Sequence, residues 1–230
     1  MKKKLKVSVI IPVYNENNYI LEILNRVNEQ KKIIDMQIIV SDDCSNDGTL
    51  EKLKENSNLY DDLITSSRNL GKGNAISKSI LQVKGDIIII QDADLEYSPK
   101  DYAKIIFPFA ELGADVVYGN RFINDGYQRL HYFFNKLANR LITLMTSLIT
   151  NINFSDVEVG YKAFKTDIIR TIDIKEKSFG FEIEITKKIS KIKNIKIYEV
   201  PINYNGRSFE EGKKIRLKDA FVAIYCIFRY

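Results

Sequence analysis

Three carboxylates stand at steps of two in this chain, Asp92, Asp94 and Glu96, directly after a run of four isoleucines, Ile87–Ile90. Uninterrupted β-branched residues read as a strand buried on both faces, which makes a rigid platform. If the chain stays extended beyond it, all three side chains leave on the same side. Carboxylates held together repel one another, so the pattern calls for a cation among them. Oxygen-only ligands at the mouth of a sheet suit Mg²⁺ or Mn²⁺, which would in turn hold phosphate oxygens. The structural alternative for the same residues is a helix start, with Asp94 or Ser98 as a cap before Pro99.

Much other chemistry is disfavoured. The 230 residues include one histidine, His131, so a Ser-His-Asp or multi-histidine zinc mechanism would rest on it alone. A structural or interfacial place is expected for it. Cys44 and Cys226 form no metal or disulfide pattern, which points to a reducing cytoplasm. The first strand–loop–helix unit lacks the glycines of a dinucleotide fingerprint, and there is no P-loop, so NAD and P-loop NTPase chemistry are disfavoured. A metal held by side chains would replace the missing glycine cradle, which leads back to Asp92 and Asp94 as the diphosphate site. A net charge of +5 favours nucleotides, phosphates or acidic lipid, and is too small to imply nucleic acid.

The elements that must position these groups alternate. Strands are expected at residues 7–13, 36–40, 63–66, 87–90 and 114–118, and helices at 18–30, 50–55, 74–83 and 99–112. That alternation predicts an α/β fold with a mostly parallel sheet and helices on both faces. Ligands of such sheets sit at the carboxyl ends of the strands. Asn15 and Glu16, Asp42 and Asp43, Asp92 and Asp94, and Asn120 and Arg121 all fall at such ends. With 45% hydrophobic residues the chain fits one globular domain, 1–230. Beyond residue 121 the pattern predicts a long apolar helix at 130–149, strand or extended chain at 156–164, a helix at 181–192, a strand at 195–200, a polar loop at 203–214 and an amphipathic helix at 215–230. The basic N-terminus mimics a signal peptide, but its apolar run ends at Val13 with no cleavage site, so a first strand is expected. No stretch approaches the roughly 18 apolar residues of a membrane span.

Four motifs in order, VSVIIPVYNE at 7–16, SDDCSNDGT at 41–49, NLGKGNA at 69–75 and DADLE at 92–96, resemble inverting GT-A fold glycosyltransferases that use nucleotide-sugars. GNR at 119–121, DVEVGYKAF at 156–164, FEIE at 181–184, YNGR at 204–207 and GKK at 212–214 are similar to the polyprenyl-phosphate branch, which includes dolichol-phosphate mannosyltransferase. The resemblance implies a Rossmann-like sheet, a nucleotide-sugar-binding part at 1–121 and an acceptor-binding part at 122–230. It implies that Pro12, Tyr14 and Glu16 line the nucleotide pocket, that Asp42 or Asp43 accepts from the base, and that Asp92 and Asp94 hold Mg²⁺ or Mn²⁺ and the diphosphate. Asp42 and Asp43 have a structural alternative as turn caps. Many relatives carry Gln where Glu96 stands, so Glu96 as a third ligand would add negative charge near the diphosphate; relatives often carry Thr where Val159 stands, a hydroxyl this chain lacks. Lys72 would either neutralise nearby carboxylates or be a solvated loop lysine. Arg121, Arg129, Arg207 and Lys213 would receive the phosphate of a polyprenyl-phosphate acceptor. The apolar stretches at 130–149 and 221–228, beside basic residues, would lie on a membrane surface, placing the protein peripherally at the cytoplasmic face. Oligomeric state is left open. Two other functions share the fold: transfer to a glycan acceptor, and a non-catalytic sugar-nucleotide-binding module.

Overall fold

The computed structural model describes residues 5–123, 129, 133–178, 180–207 and 217–230. The continuous apolar runs form the buried strands of the sheet. These are β1 (Val7–Val13), β2 (Met36–Asp42) and β4 (Ile87–Ile90), and β1 lies hydrogen-bonded between the other two in parallel register. The short β3 (Asp62–Thr65) forms one edge. Between these strands lie α1 (Ile20–Lys31), α2 (Thr49–Glu55) and α3 (Lys72–Ile80). Helix α1 shows the ordinary pattern, burying Ile20, Ile23, Leu24 and Val27 and turning its charged side outward.

The second half departs from strict alternation. Residues 99–112 do not make one helix. A short turn opens at Pro99, α4 (Tyr102–Phe107) follows, and Pro108, which cannot donate the next ladder bond, leads into a wider turn. Strand β5 (Val116–Asn120) is shifted two residues towards the C-terminus from the expected span. After α5 (Phe133–Thr150), the chain enters β6 (Lys162–Lys165), then α6 (Thr166–Arg170), α7 (Phe181–Ser190), β7 (Ile197–Pro201) and α8 (Leu217–Arg229).

The sheet has seven strands in the order β3-β2-β1-β4-β6-β5-β7. All pairings are parallel except those of β6, which runs antiparallel to both β4 and β5. This one reversal matters for the site. The parallel strands deliver their C-terminal loops to one edge of the sheet. The reversed β6 delivers its preceding segment, residues 156–161, to that same edge. Strand β7 brings residues 202–207 there as well.

Candidate active site

Residues after β1, β2, β4, β5 and β7, and before β6, meet at that edge. The turns are tight. Of five non-glycine residues with positive φ among those described, Asn15 (52°), Cys44 (65°) and Leu95 (63°) lie just after β1, β2 and β4. Such backbone is uncommon for these residue types and is found where surrounding contacts over-determine it.

Leu95 corrects an expectation. The chain does not stay extended past β4, so the three carboxylates do not leave as one row. They divide between two cations. Asp92 Oδ1 pairs with Lys72 Nζ at 2.8 Å, and Lys72 also meets Glu182 Oε1 at 2.9 Å. Asp94 Oδ2 accepts from Arg207 Nη2 at 2.8 Å. Glu96 is turned onto the same C-terminal segment. Its Oε1 accepts from the Arg207 backbone N–H at 2.7 Å, and its Oε2 from the Tyr204 hydroxyl at 3.0 Å. Both Glu96 oxygens therefore anchor residues 204–207. Glu16, after β1, lies 3.5 Å from Arg207 Nη1, and the guanidinium sits over the Tyr19 ring. Arg207 thus draws together the ends of β1 and β4.

The acids outweigh the cations locally. Burial, then the charges of Asp92 and Glu96, push Asp94 up to about 7, while Arg207 opposes the rise. For Lys72, burial works against the charged form, but Asp92 and Glu182 overcome it and raise its pKa. Lys72 is consequently a buried counter-ion, not a solvated loop lysine. No three His, Cys, Asp or Glu side chains among the described residues form a ready metal cage. Asp92 and Asp94 nevertheless offer an oxygen-only pair whose charge is incompletely balanced. That donor set suits a Mg²⁺ or Mn²⁺ ion that keeps waters and takes phosphate oxygens for its other positions.

Asp92 is fixed from behind. A Cβ on Gly160 would lie 2.2 Å from Asp92 Oδ2, so only glycine lets the residues before β6 approach this carboxylate. The Gly160 N–H donates to the Tyr97 hydroxyl at 3.0 Å, and the Tyr97 ring stacks on Tyr161 and packs against Tyr204. Arg121, at the end of β5, is held by buried Asp156 through Nε at 2.7 Å and Nη2 at 2.6 Å. Its guanidinium lies 5.2 Å over the Tyr204 ring, which ties it to the Glu96–Arg207 cluster. Asp156 is shared with Asn139 of α5 at 3.1 Å.

The acidic pair after β2 splits into two roles. Asp43 accepts from the Leu70 N–H at 2.9 Å and the Gly71 N–H at 2.5 Å, so it holds the turn that opens α3. That turn has Gly71 at φ +96°, with the Lys177 carbonyl where a Cβ would sit. Asp42 Oδ2 accepts from the Ser45 N–H, while its buried Oδ1 has no hydrogen-bond partner among the described residues. Asp42 is the member free to accept from a ligand. Pro12 pairs with Ser41 in the β1–β2 register, and Tyr14 directly follows β1, which places both at this end of the sheet. Arg129 is exposed. Lys213 and His131 lie outside the described residues. The sequence motifs at 156–164 and 181–184 contain Asp156, Gly160 and Glu182, but nothing local marks what these three residues do. Their partners lie 17 or more positions away, beyond any local pattern.

The sequence profile of glycosyl transferase family 2 matches residues 8–173. The chain belongs to this family. It is 28% identical over 229 residues to a dolichol-phosphate mannosyltransferase of Pyrococcus furiosus, covering 98% of this chain and 63% of that protein. An undecaprenyl-phosphate 4-deoxy-4-formamido-L-arabinose transferase of Proteus mirabilis is 33% identical over 169 residues, covering 71% of this chain and 50% of that protein. The chain therefore spans between half and two thirds of the length of these relatives. Among solved structures, a Mycobacterium tuberculosis glucosyl-3-phosphoglycerate synthase in complex with Mn²⁺, UDP-glucose and phosphoglyceric acid superposes with a TM-score of 0.73 at 17% identity, covering 97% of this chain and 79% of that one. Mannosyl-3-phosphoglycerate synthase from Rubrobacter xylanophilus gives 0.71 at 17% identity, over 98% and 73% of the two chains. The fold of this family 2 member is the GT-A glycosyltransferase fold.

Proposed function

We propose that this family 2 protein transfers a hexose, with inversion, from a nucleotide-sugar to a polyprenyl phosphate. The observation that carries the reading is the convergence of Glu16, Asp94 and Glu96 on Arg207, with the Lys72–Asp92 pair beside them. Such a site sets cations beside carboxylates that could seat a metal, as a reaction between two phosphates requires. The names of the relatives agree with this acceptor class.

Pro12, Tyr14 and Asp42 would border the base and ribose. A Mg²⁺ or Mn²⁺ ion, when bound, would be held by Asp92 and Asp94 and would neutralise charge on the departing diphosphate. The acceptor needs no protein base. A phosphate monoester has its second pKa near about 6, so at neutral pH its oxygen already carries the electron pair that attacks the anomeric carbon. As the new carbon–oxygen bond forms, the bond to the nucleoside diphosphate breaks on the opposite face, and no proton changes hands. What the chain supplies is approach and orientation. Arg207, half-buried against Asp94, is placed to exchange a carboxylate for an incoming phosphate oxygen. Arg121, fixed by Asp156 and stacked on Tyr204, would hold the other side. Arg129 and Lys213 are further candidates for the acceptor phosphate.

Helix α5 supports a membrane surface. It buries Asn139, Thr143 and Thr146 with Ile142, while Phe133, Phe134, Leu137, Leu141, Leu144 and Leu148 face outward. Phe134 is 79% and Leu148 73% exposed. Helix α8 packs beside it and exposes Phe221, Val222, Tyr225 and Phe228. An apolar stripe turned away from the core of its own fold fits peripheral seating in a leaflet, with Lys136 and Arg140 at hand for anionic headgroups. No described helix is long and apolar enough to cross a membrane. The leaflet would be the cytoplasmic one, where the donor is available.

The test pairs acceptors. Labelled GDP-mannose, UDP-glucose and UDP-N-acetylglucosamine are each incubated with Mn²⁺ and either undecaprenyl phosphate, the unphosphorylated polyprenol, or a soluble oligosaccharide. Label in the lipid phase only with the phosphate is expected. Transfer to the oligosaccharide instead would move the protein to the glycan-acceptor class.

A further inference from the structure

Glu182 has so far entered only as the second partner of Lys72. It stands in the first turn of α7. Its Oε1 meets Lys72 Nζ at 2.9 Å, and the same Nζ meets Asp92 Oδ1 at 2.8 Å. Glu182 therefore sits one lysine away from the carboxylate proposed for the diphosphate and its cation. The group directly attached to that diphosphate is the sugar.

Its other oxygen is unexplained by the fold. Glu182 is buried, and Oε2 has no hydrogen-bond partner among the described residues. A buried carboxylate oxygen without a donor is costly and calls for a reason. The neighbouring cations do not fill the gap. Lys72 is already on Oε1, and Lys162 gives its ammonium to the Val157 and Val159 carbonyls at 2.8 and 2.5 Å and lies over the Tyr118 ring. Nor does the proposed reaction need Glu182 as a base, since a phosphate nucleophile has no proton to surrender. A carboxylate is an acceptor only, and a sugar presents hydroxyl donors.

We propose that Glu182 sets which sugar is accepted, Oε2 receiving a hydrogen bond from one hydroxyl of the transferred hexose while Lys72 fixes the orientation of the carboxylate. This rests on the nucleotide-sugar reading above. The test measures binding, not turnover. The donor is chosen by thermal shift from GDP-mannose, UDP-glucose and UDP-N-acetylglucosamine. Calorimetry with Mn²⁺ then compares that donor with its nucleoside diphosphate on wild type and Glu182→Gln. Nucleoside diphosphate affinity is expected to change less than about twofold and donor affinity to fall about tenfold. Monodeoxy donors complete the cycle: loss of one particular hydroxyl should weaken wild type about tenfold and the variant less than about twofold. Glu182→Asp, which keeps the charge but withdraws the oxygen, should give the same split and covers any instability of the glutamine variant. Equal losses for diphosphate and donor would make Glu182 merely the holder of Lys72 and overturn the proposal, as would no loss in either. Failure of every donor to bind wild type is a different result, and it would remove the nucleotide-sugar reading itself.

Discussion

Helices α1 and α5 are both amphipathic, and the fold uses them in opposite senses. Helix α1 turns Ile20, Ile23, Leu24 and Val27 into the core. Helix α5 turns Asn139, Thr143 and Thr146 inward with a single Ile142, and leaves its phenylalanines and leucines outside. The reason lies in what each packs against. The side of α1 that faces inward meets the apolar sheet. The inward side of α5 meets the segment at 154–158, whose polar groups need partners. Asn139 donates to Asp156 at 3.1 Å and to Glu158 at 3.3 Å, the Val157 N–H donates to Thr143 at 3.3 Å, and the Phe154 N–H to Ser147 at 3.1 Å. Periodicity reveals that a helix has two faces. The neighbour decides which of them is buried.

That contrast can be broken most forcefully with one charge. Ile23→Asp on α1 places an unpaired carboxylate in the core and should cost more than about 4 kcal/mol, enough to unfold many domains. Leu141→Asp on α5 should change stability by less than about 0.5 kcal/mol. Thermal melts of both variants read the difference, and equal destabilisation would erase the distinction between the helices.

Next in size is membrane binding. Replacing Phe134, Leu141 and Phe228 together by serine should leave the melt nearly unchanged yet weaken sedimentation with anionic vesicles at least about 100-fold, since each buried apolar side chain contributes about 1.5–3 kcal/mol. Unaltered co-sedimentation would mean that the stripe faces something other than lipid.

The smallest effect probes the inward side of α5. Asn139→Leu removes a donor from buried Asp156 and half-buried Glu158 and should cost about 1–3 kcal/mol in chemical denaturation. A neutral result would show that Asp156 is held by Arg121 alone.

Much of this molecule was legible beforehand. Apolar runs such as Val7–Val13 and Ile87–Ile90 announce buried strands, and the polar residues that follow them lie at the edge where a parallel sheet collects ligands. What failed was geometry that depends on distant partners. Glu96 reads as one of a row of three carboxylates, and only the fold shows both of its oxygens turned onto Tyr204 and the Arg207 backbone. Asp43 and Asp42 are equivalent in sequence, and only the turn at Leu70 and Gly71 separates them. Strand β6 is four residues long, too short to announce its antiparallel place between β4 and β5, and that place is what carries Asp156 and Gly160 to the site. Lys72 could not be told from a loop lysine until α7 brought Glu182 against it.

The most direct test follows label from a nucleotide-sugar into butanol-extractable undecaprenyl phosphate, with Mn²⁺ present, for wild type and Asp94→Asn. Wild type is expected to label the lipid, and Asp94→Asn to do so at least about 100-fold more slowly, because the substitution removes the charge that seats the cation beside the leaving group. Equal rates from the two proteins, or no labelled lipid from wild type with any donor, would contradict the placement of sugar transfer at this strand-end cluster.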